Sequence, residues 1–209
     1  MDIAVNLVET YLRLTGYLTL SEFEVQARNP DGVFETVTDV DIVGIRFPGT
    51  IFVGDPHHEP DARQLVLDDP ALLLDEDQTD VIIGEVKQGE AQFNAGIRRH
   101  EVLHSVLRRV AWLYAEGIDP VVDGLRDHDV CVVPARGGGS IRTRLVAFGR
   151  ADEPDLNTIT HSHIVTTLLG FFGGLDDAFR PANFSDPAPA MLSLLLKTGF
   201  DVSKDDDVT

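Results

Sequence analysis

The chain predicts an α/β fold, a mixed β-sheet covered by helices. Three observations carry that prediction. An amphipathic helical run opens the chain, three strand-like runs follow with one long polar interruption, and strand and helix patterns then alternate as far as residue 197. At 209 residues the chain can bury a substantial core without staples. A single domain over residues 1–202 is expected, with 203–209 as a disordered acidic tail.

Each element has a local reason. Asp2 is placed to cap a first helix whose apolar positions Ile3, Leu7, Val8, Tyr11 and Leu14 recur at helical spacing, and Gly16 is placed to end it. Tyr17 to Ala27 alternates through Leu18, Leu20, Phe23 and Val25, and reads as a strand that stops at the turn Asn29-Pro30-Asp31-Gly32. Thr38 to Phe47 is the second strand. Residues 48–79 carry prolines, His57-His58 and scattered acids, and read as an inserted loop with short helical turns. Asp80 to Lys87 is the third strand. A long helix is expected from Ile97 to Glu116, with an apolar stripe of Val102, Leu103, Val106, Val110, Leu113 and Tyr114. Asp129 to Ala135 and Ile141 to Phe148 read as a hairpin around three glycines. No Lys-Ser/Thr pair and no helix follows those glycines, so they do not form a phosphate loop. Helices at His161 to Gly170 and Pro187 to Lys197, the latter with proline at its first position, complete the pattern.

Composition narrows the function. The formal net charge is −18, and 24 of the 35 acids are Asp. Such a surface repels phosphates and argues against nonspecific nucleic-acid binding. Many Asp with few Lys is also how proteins of high-salt cytoplasms look, and at about 1 M salt the Debye length falls to about 3 Å, so local arginines outweigh the global surplus. A halophilic source is the reading we favour. Neither a basic leader nor a spanning segment is present, so a cytoplasmic protein without a membrane partner is expected. The one cysteine, Cys131, excludes an internal disulfide and reads as a core side chain.

The chemistry is concentrated in Asp80-Val-Ile-Ile-Gly-Glu-Val-Lys87, taken with Thr38-Asp-Val-Asp-Ile-Val-Gly-Ile45. Alternation puts Glu85 and Lys87 on one face of the third strand. With Asp41 of the second strand on that face too, two carboxylates and an ammonium surround one spot. Hard oxygen ligands of this kind suit a divalent cation that holds phosphate oxygens and activates a water, with lysine orienting that water. The alternative is an ion pair on solvated strand ends.

The order helix with Glu9, strand, strand with Asp41, strand with Glu85-Val-Lys87, then helix resembles the core of the PD-(D/E)xK nuclease superfamily. Phrases such as Val8-Glu-Thr-Tyr-Leu-Arg-Leu-Thr-Gly-Tyr17 and Ile83-Gly-Glu-Val-Lys-Gln-Gly89 look like those of its members, and the resemblance covers residues 1–148. It implies a restriction-endonuclease-like three-layer core with a central mixed sheet flanked by helices. It also implies Mg²⁺ or Mn²⁺ bound by Glu9, Asp41 and Glu85, catalysis by Asp41, Glu85 and Lys87, and cleavage of nucleic acid, DNA ahead of RNA. The motif's proline is replaced by Val40, and Asp39 is a second candidate on the same strand. Asp41 is preferred because the apolar run Ile42 to Ile45 begins directly after it. No specificity domain is recognisable; a nuclease-like scaffold without activity is the alternative, and a homodimer is left open.

A rival pattern is His100-Glu101-Val-Leu-His104, the spacing of a zinc protease helix. Arg98 and Arg99 directly before it speak against that reading. With His100, His104, Arg108 and Arg109 they form the densest positive cluster, and Arg98, Arg99 and Arg108 are the expected phosphate contacts. Arg136, Arg142 and Arg144 form a second candidate patch. His57-His58 and His161-Ser-His163 read as surface or capping residues.

Overall fold

The computed structural model describes residues 2–28, 31–49, 52–53, 57–58, 63–64, 66–175 and 184–200. Helix α1 (Ile3–Leu14) is capped by Asp2, whose side chain accepts the Ala4 N–H at 2.8 Å. Strands β1 (Leu18–Arg28) and β2 (Phe34–Arg46) pair antiparallel, and β2 pairs antiparallel with β5 (Gln78–Glu90). Two-residue strands β3 (Phe52–Val53) and β4 (Arg63–Gln64) pair separately. After helices α2 (His100–Arg108) and α3 (Asp119–His128), β6 (Val130–Pro134) turns back into β7 (Ser140–Arg150), which lies parallel to β5. The short β8 (Thr158–Thr160) extends β7 beside β6, and α4 (His161–Gly174) and α5 (Pro187–Lys197) follow. The main sheet therefore runs β1-β2-β5-β7-β6, with β8 on β7.

Helices cover both faces of this sheet. α1, α4 and α5 pack over Ile42, Ile82, Val86, Val146 and Phe148. On the opposite face α2 and α3 cover Val43, Val81, Ile83, Ile141 and Leu145. The consecutive apolar run of β5 follows from this arrangement, because a central strand buried on both faces has no polar side to show. The close fit also explains Gly84. A Cβ there would lie 2.5 Å from Ile42 Cγ2 and 2.8 Å from Phe148 Cε2.

Several expectations are corrected. The helix expected over residues 97–116 ends at Arg108. The chain then makes a 3-10 turn at Ala111–Leu113, and Tyr114 becomes extended, bridges Ala135 and brings its hydroxyl 2.9 Å from Thr143 Oγ1. Burying that aromatic ring under the sheet outweighs continuing the helix. α3 and β8 were not expected, although Asp119-Pro120 is a helix-start signal. The inserted segment ends two residues early because Gln78 and Thr79 belong to β5. It also holds a 3-10 turn at Pro70–Leu72. Asn29-Pro30 of the first turn, the tail 203–209 and much of residues 50–65 lie outside the described residues.

The expected basic patch around the triple glycine is also corrected. Arg144 is fully buried, pairs with Asp80 at 3.0 Å and donates to the Leu72 and Leu156 carbonyls. Arg142 pairs with the same carboxylate and donates to Leu72 and Leu73, so of the three arginines only Arg136 is exposed. The Tyr17 hydroxyl donates to Asp80 as well. Nearby, buried Asp69 accepts from the Tyr11 hydroxyl at 2.6 Å, the Ala71 N–H at 2.9 Å, and His163 Nε2 at 2.7 Å. Burial holds both phenols far above their usual range, so they stay donors.

Candidate functional site

The antiparallel pairing of β2 with β5 has Ile42 opposite Gly84 as its last pair at this end. Asp41 and Glu85 are the next residue on each strand, which makes them neighbours across the opening. The Val86 N–H, released from the ladder, donates to Asp41 Oδ2 at 2.7 Å. The Lys87 ammonium pairs with Glu85 Oε1, so alternation places Glu85 and Lys87 together as expected. Glu85 is 3 % exposed and Asp41 is half-buried. Glu85 Oε2 is buried with no hydrogen-bond partner among the described residues.

The electrostatics follow from that burial. Desolvation raises the Asp41 carboxyl above its ordinary value, opposed by the Val86 N–H and then by Lys87. Desolvation also raises Glu85, opposed by its bond to Lys87, while the Asp41 charge adds to the rise. Two partly dehydrated carboxylates side by side, one with a bare oxygen, are a hard oxygen donor pair. Such a pair fits Mg²⁺ or Mn²⁺, which take one or two protein carboxylates and fill their remaining positions with water and substrate oxygens.

Asp39 and Glu9 have surroundings of their own. Asp39 is exposed and sits opposite Glu24 in the β1–β2 ladder. Buried Glu9 accepts from Arg13 at 2.7 Å, Thr19 at 3.1 Å and Ser21 at 3.2 Å, all through Oε1. Among the described residues, no group of three or more His, Cys, Asp or Glu side chains is gathered to hold a metal ion. The structure thus unites Asp41, Glu85 and Lys87 and places Glu9 in its own set of hydrogen bonds.

On α2 and just before it, the expected phosphate contacts divide. Arg98 binds Asp129 with both Nε (2.7 Å) and Nη2 (2.8 Å) and lies over the Phe93 ring at 4.7 Å, so its fork is filled by the protein. Arg99 and Arg108 are exposed. Arg109 lies 3.8 Å from the Phe23 ring centroid. The His100 and His104 rings stack at 5.7 Å, and His104 Nε2 is 4.0 Å from Asp119 Oδ1. His100 and Glu101 are exposed, unlike the buried helix of a zinc protease.

Two histidines read as surface or capping residues have partners inside the fold. His163 meets Asp69, and His161 Nε2 is 2.8 Å from the Lys87 carbonyl oxygen. His57 and His58 are exposed in a turn. No spacing rule identifies His161, because it meets the site through a backbone atom distant in sequence. Among the described residues, no helix is long and apolar enough to cross a membrane. No family model, curated protein or solved structure matches the chain.

Proposed function

We propose that this protein is a metal-dependent nuclease of restriction-endonuclease-like architecture, which hydrolyses phosphodiester bonds of DNA or RNA with Mg²⁺ or Mn²⁺ at Asp41 and Glu85. The observation that carries this reading is the buried, unpartnered Oε2 of Glu85 beside Asp41, with Lys87 on the same carboxylate. A buried carboxylate oxygen without a donor costs about 1–3 kcal/mol, and a cation would remove that cost. The element order supports the reading too: a helix, an antiparallel three-strand meander, helices, and a strand parallel to the third.

In this reading the bound cation supplies a polarised phosphate and an acidified water. Asp41 and Glu85 hold it, while the Val86 N–H fixes the Asp41 carboxylate in place. Lys87 is paired with Glu85, from where its ammonium would orient the attacking water and offset charge developing on the phosphate oxygens. Exposed Arg99 and Arg108 are the remaining candidates for backbone phosphate contacts. Glu9 is engaged by Arg13, Thr19 and Ser21, and the reading does not depend on it. The single cysteine and the absence of a spanning helix among the described residues fit a cytoplasmic enzyme.

The test is cleavage of varied DNA and RNA with Mg²⁺ or Mn²⁺ in molar KCl. Lys87→Ala should lower the rate by about 100-fold or more, the usual worth of a positioned proton-transfer or water-orienting group, while Mn²⁺ binding by calorimetry persists. Intact substrates with the wild-type protein would leave a nuclease-like scaffold.

A further inference from the structure

We propose that His161 is a positioning residue for Lys87, acting through the backbone of a bulge in β5. The inference rests on the reading of Lys87 as the water-orienting group.

The bulge is visible in the register. β5 pairs with β7 up to Val86 opposite Phe148 and resumes at Glu90 opposite Arg150, so Lys87, Gln88 and Gly89 face only Gly149. On the other side, the ladder with β2 has already stopped at Gly84. The Lys87 carbonyl thus lies outside the regular pairing on both sides, and a part-buried backbone acceptor at such a bulge calls for a donor. His161 supplies it, with Nε2 at 2.8 Å from that oxygen. A carbonyl can only accept, so Nε2 is the donor in this contact.

The rest of the neighbourhood is built around the same contact. Gly149, the residue beneath the bulge, has no room for a side chain: a Cβ would lie 2.7 Å from Ala91 N and 2.9 Å from Gly89 O. Gly149 also pairs with Thr160 of β8, and the Thr160 hydroxyl caps α4 by accepting the His163 N–H at 3.1 Å. One β7 residue thus sets both the path of the bulge and the placement of His161. The arrangement carries a cost, since His161 Nδ1 is buried with no hydrogen-bond partner among the described residues. Its consequence lies in the side chain the bulge carries. The period along a strand is two, so drawing the bulge by one residue into the ladder would send Lys87 to the opposite face from Glu85.

The chain has three lysines, Lys87, Lys197 and Lys204, so selective ¹³C labelling of lysine reports Lys87 directly by NMR. In His161→Ala the Lys87 side-chain resonance should move toward that of an exposed lysine while the other two stay in place. Cleavage should fall by about 100-fold through kcat with KM little changed, the scale of an ångström of misplacement. His161→Gln, whose amide N–H can reach the same carbonyl, should restore both. An unmoved Lys87 resonance in His161→Ala, or no restoration by His161→Gln, overturns the proposal. If His161→Ala does not fold, His161→Asn, one methylene shorter, replaces it. A Lys87 resonance displaced in Asn and native in Gln supports the clamp, and identical spectra overturn it. Wild-type protein without cleavage would sink the nuclease reading alone, because the resonance still decides where Lys87 is held.

Discussion

At Asp41 and Glu85 the fold works against its own charges. Both carboxyls are raised chiefly by desolvation, so folding favours their neutral forms. Their contribution to stability is complete below the ordinary carboxylate range and is lost as pH rises through the raised values. Asp41→Asn keeps an oxygen for the Val86 N–H and removes the charge. It should therefore raise the metal-free melting temperature at neutral pH by a few degrees at most, and the gain over wild type should shrink on acidification. It should also abolish the melting-temperature rise that Mn²⁺ gives the wild type. A variant less stable than wild type at neutral pH, or one still stabilised by Mn²⁺, would contradict this account. This part of the site was legible in the sequence, because strand alternation alone joins Glu85 to Lys87. Arg98 was not legible as an occupied residue, since its partner Asp129 ends a helix that the hydropathy pattern did not announce.

Among the elements, the central strand was easiest to read and the edge strand less so. β5 is apolar because it is covered on both faces, whereas along β1 Phe23 and Val25 are buried but Leu18 and Leu20 are exposed. The segment after Arg108 was not readable from periodicity, because Leu113 and Tyr114 continue the spacing of a helix while the structure spends Tyr114 on Thr143. Nor does local pattern show that Asp80, at the start of the expected strand, is the buried counter-charge of two arginines. That network ties the turn at Leu72 and Leu73 to the sheet, so its loss is felt by a whole segment. Asp80→Asn leaves two guanidinium groups facing each other without their shared anion and should cost about 3–5 kcal/mol. A urea titration reads this as a lowered midpoint at unchanged slope, and a loss below about 1 kcal/mol would mean that the carbonyls alone satisfy the arginines.

For the whole molecule, the −18 charge is a stability statement before it is a statement about partners. With the two central arginines and Arg98 committed to internal pairs, the outer surface is left with still fewer cations to balance its acids. Self-repulsion should make the fold salt-dependent, the melting temperature rising steadily as KCl is increased from about 0.1 M, where the Debye length is about 10 Å, to about 1 M, where it is about 3 Å. Calorimetric scans across that range check this, and a flat profile would remove the high-salt reading. The packing of α1 has one more consequence. Its buried face, Val5, Val8, Tyr11 and Leu12, shares a core with Ile164, Leu168 and Phe172 of α4 and Leu192 of α5. The helices that complete the cover of α1 come after the whole sheet in chain order, so this core closes through contacts distant in sequence. A chain that has not yet docked α4 and α5 shows a sticky amphipathic helix, which makes the half-folded protein a natural client for a chaperone that holds such a face until those helices pack.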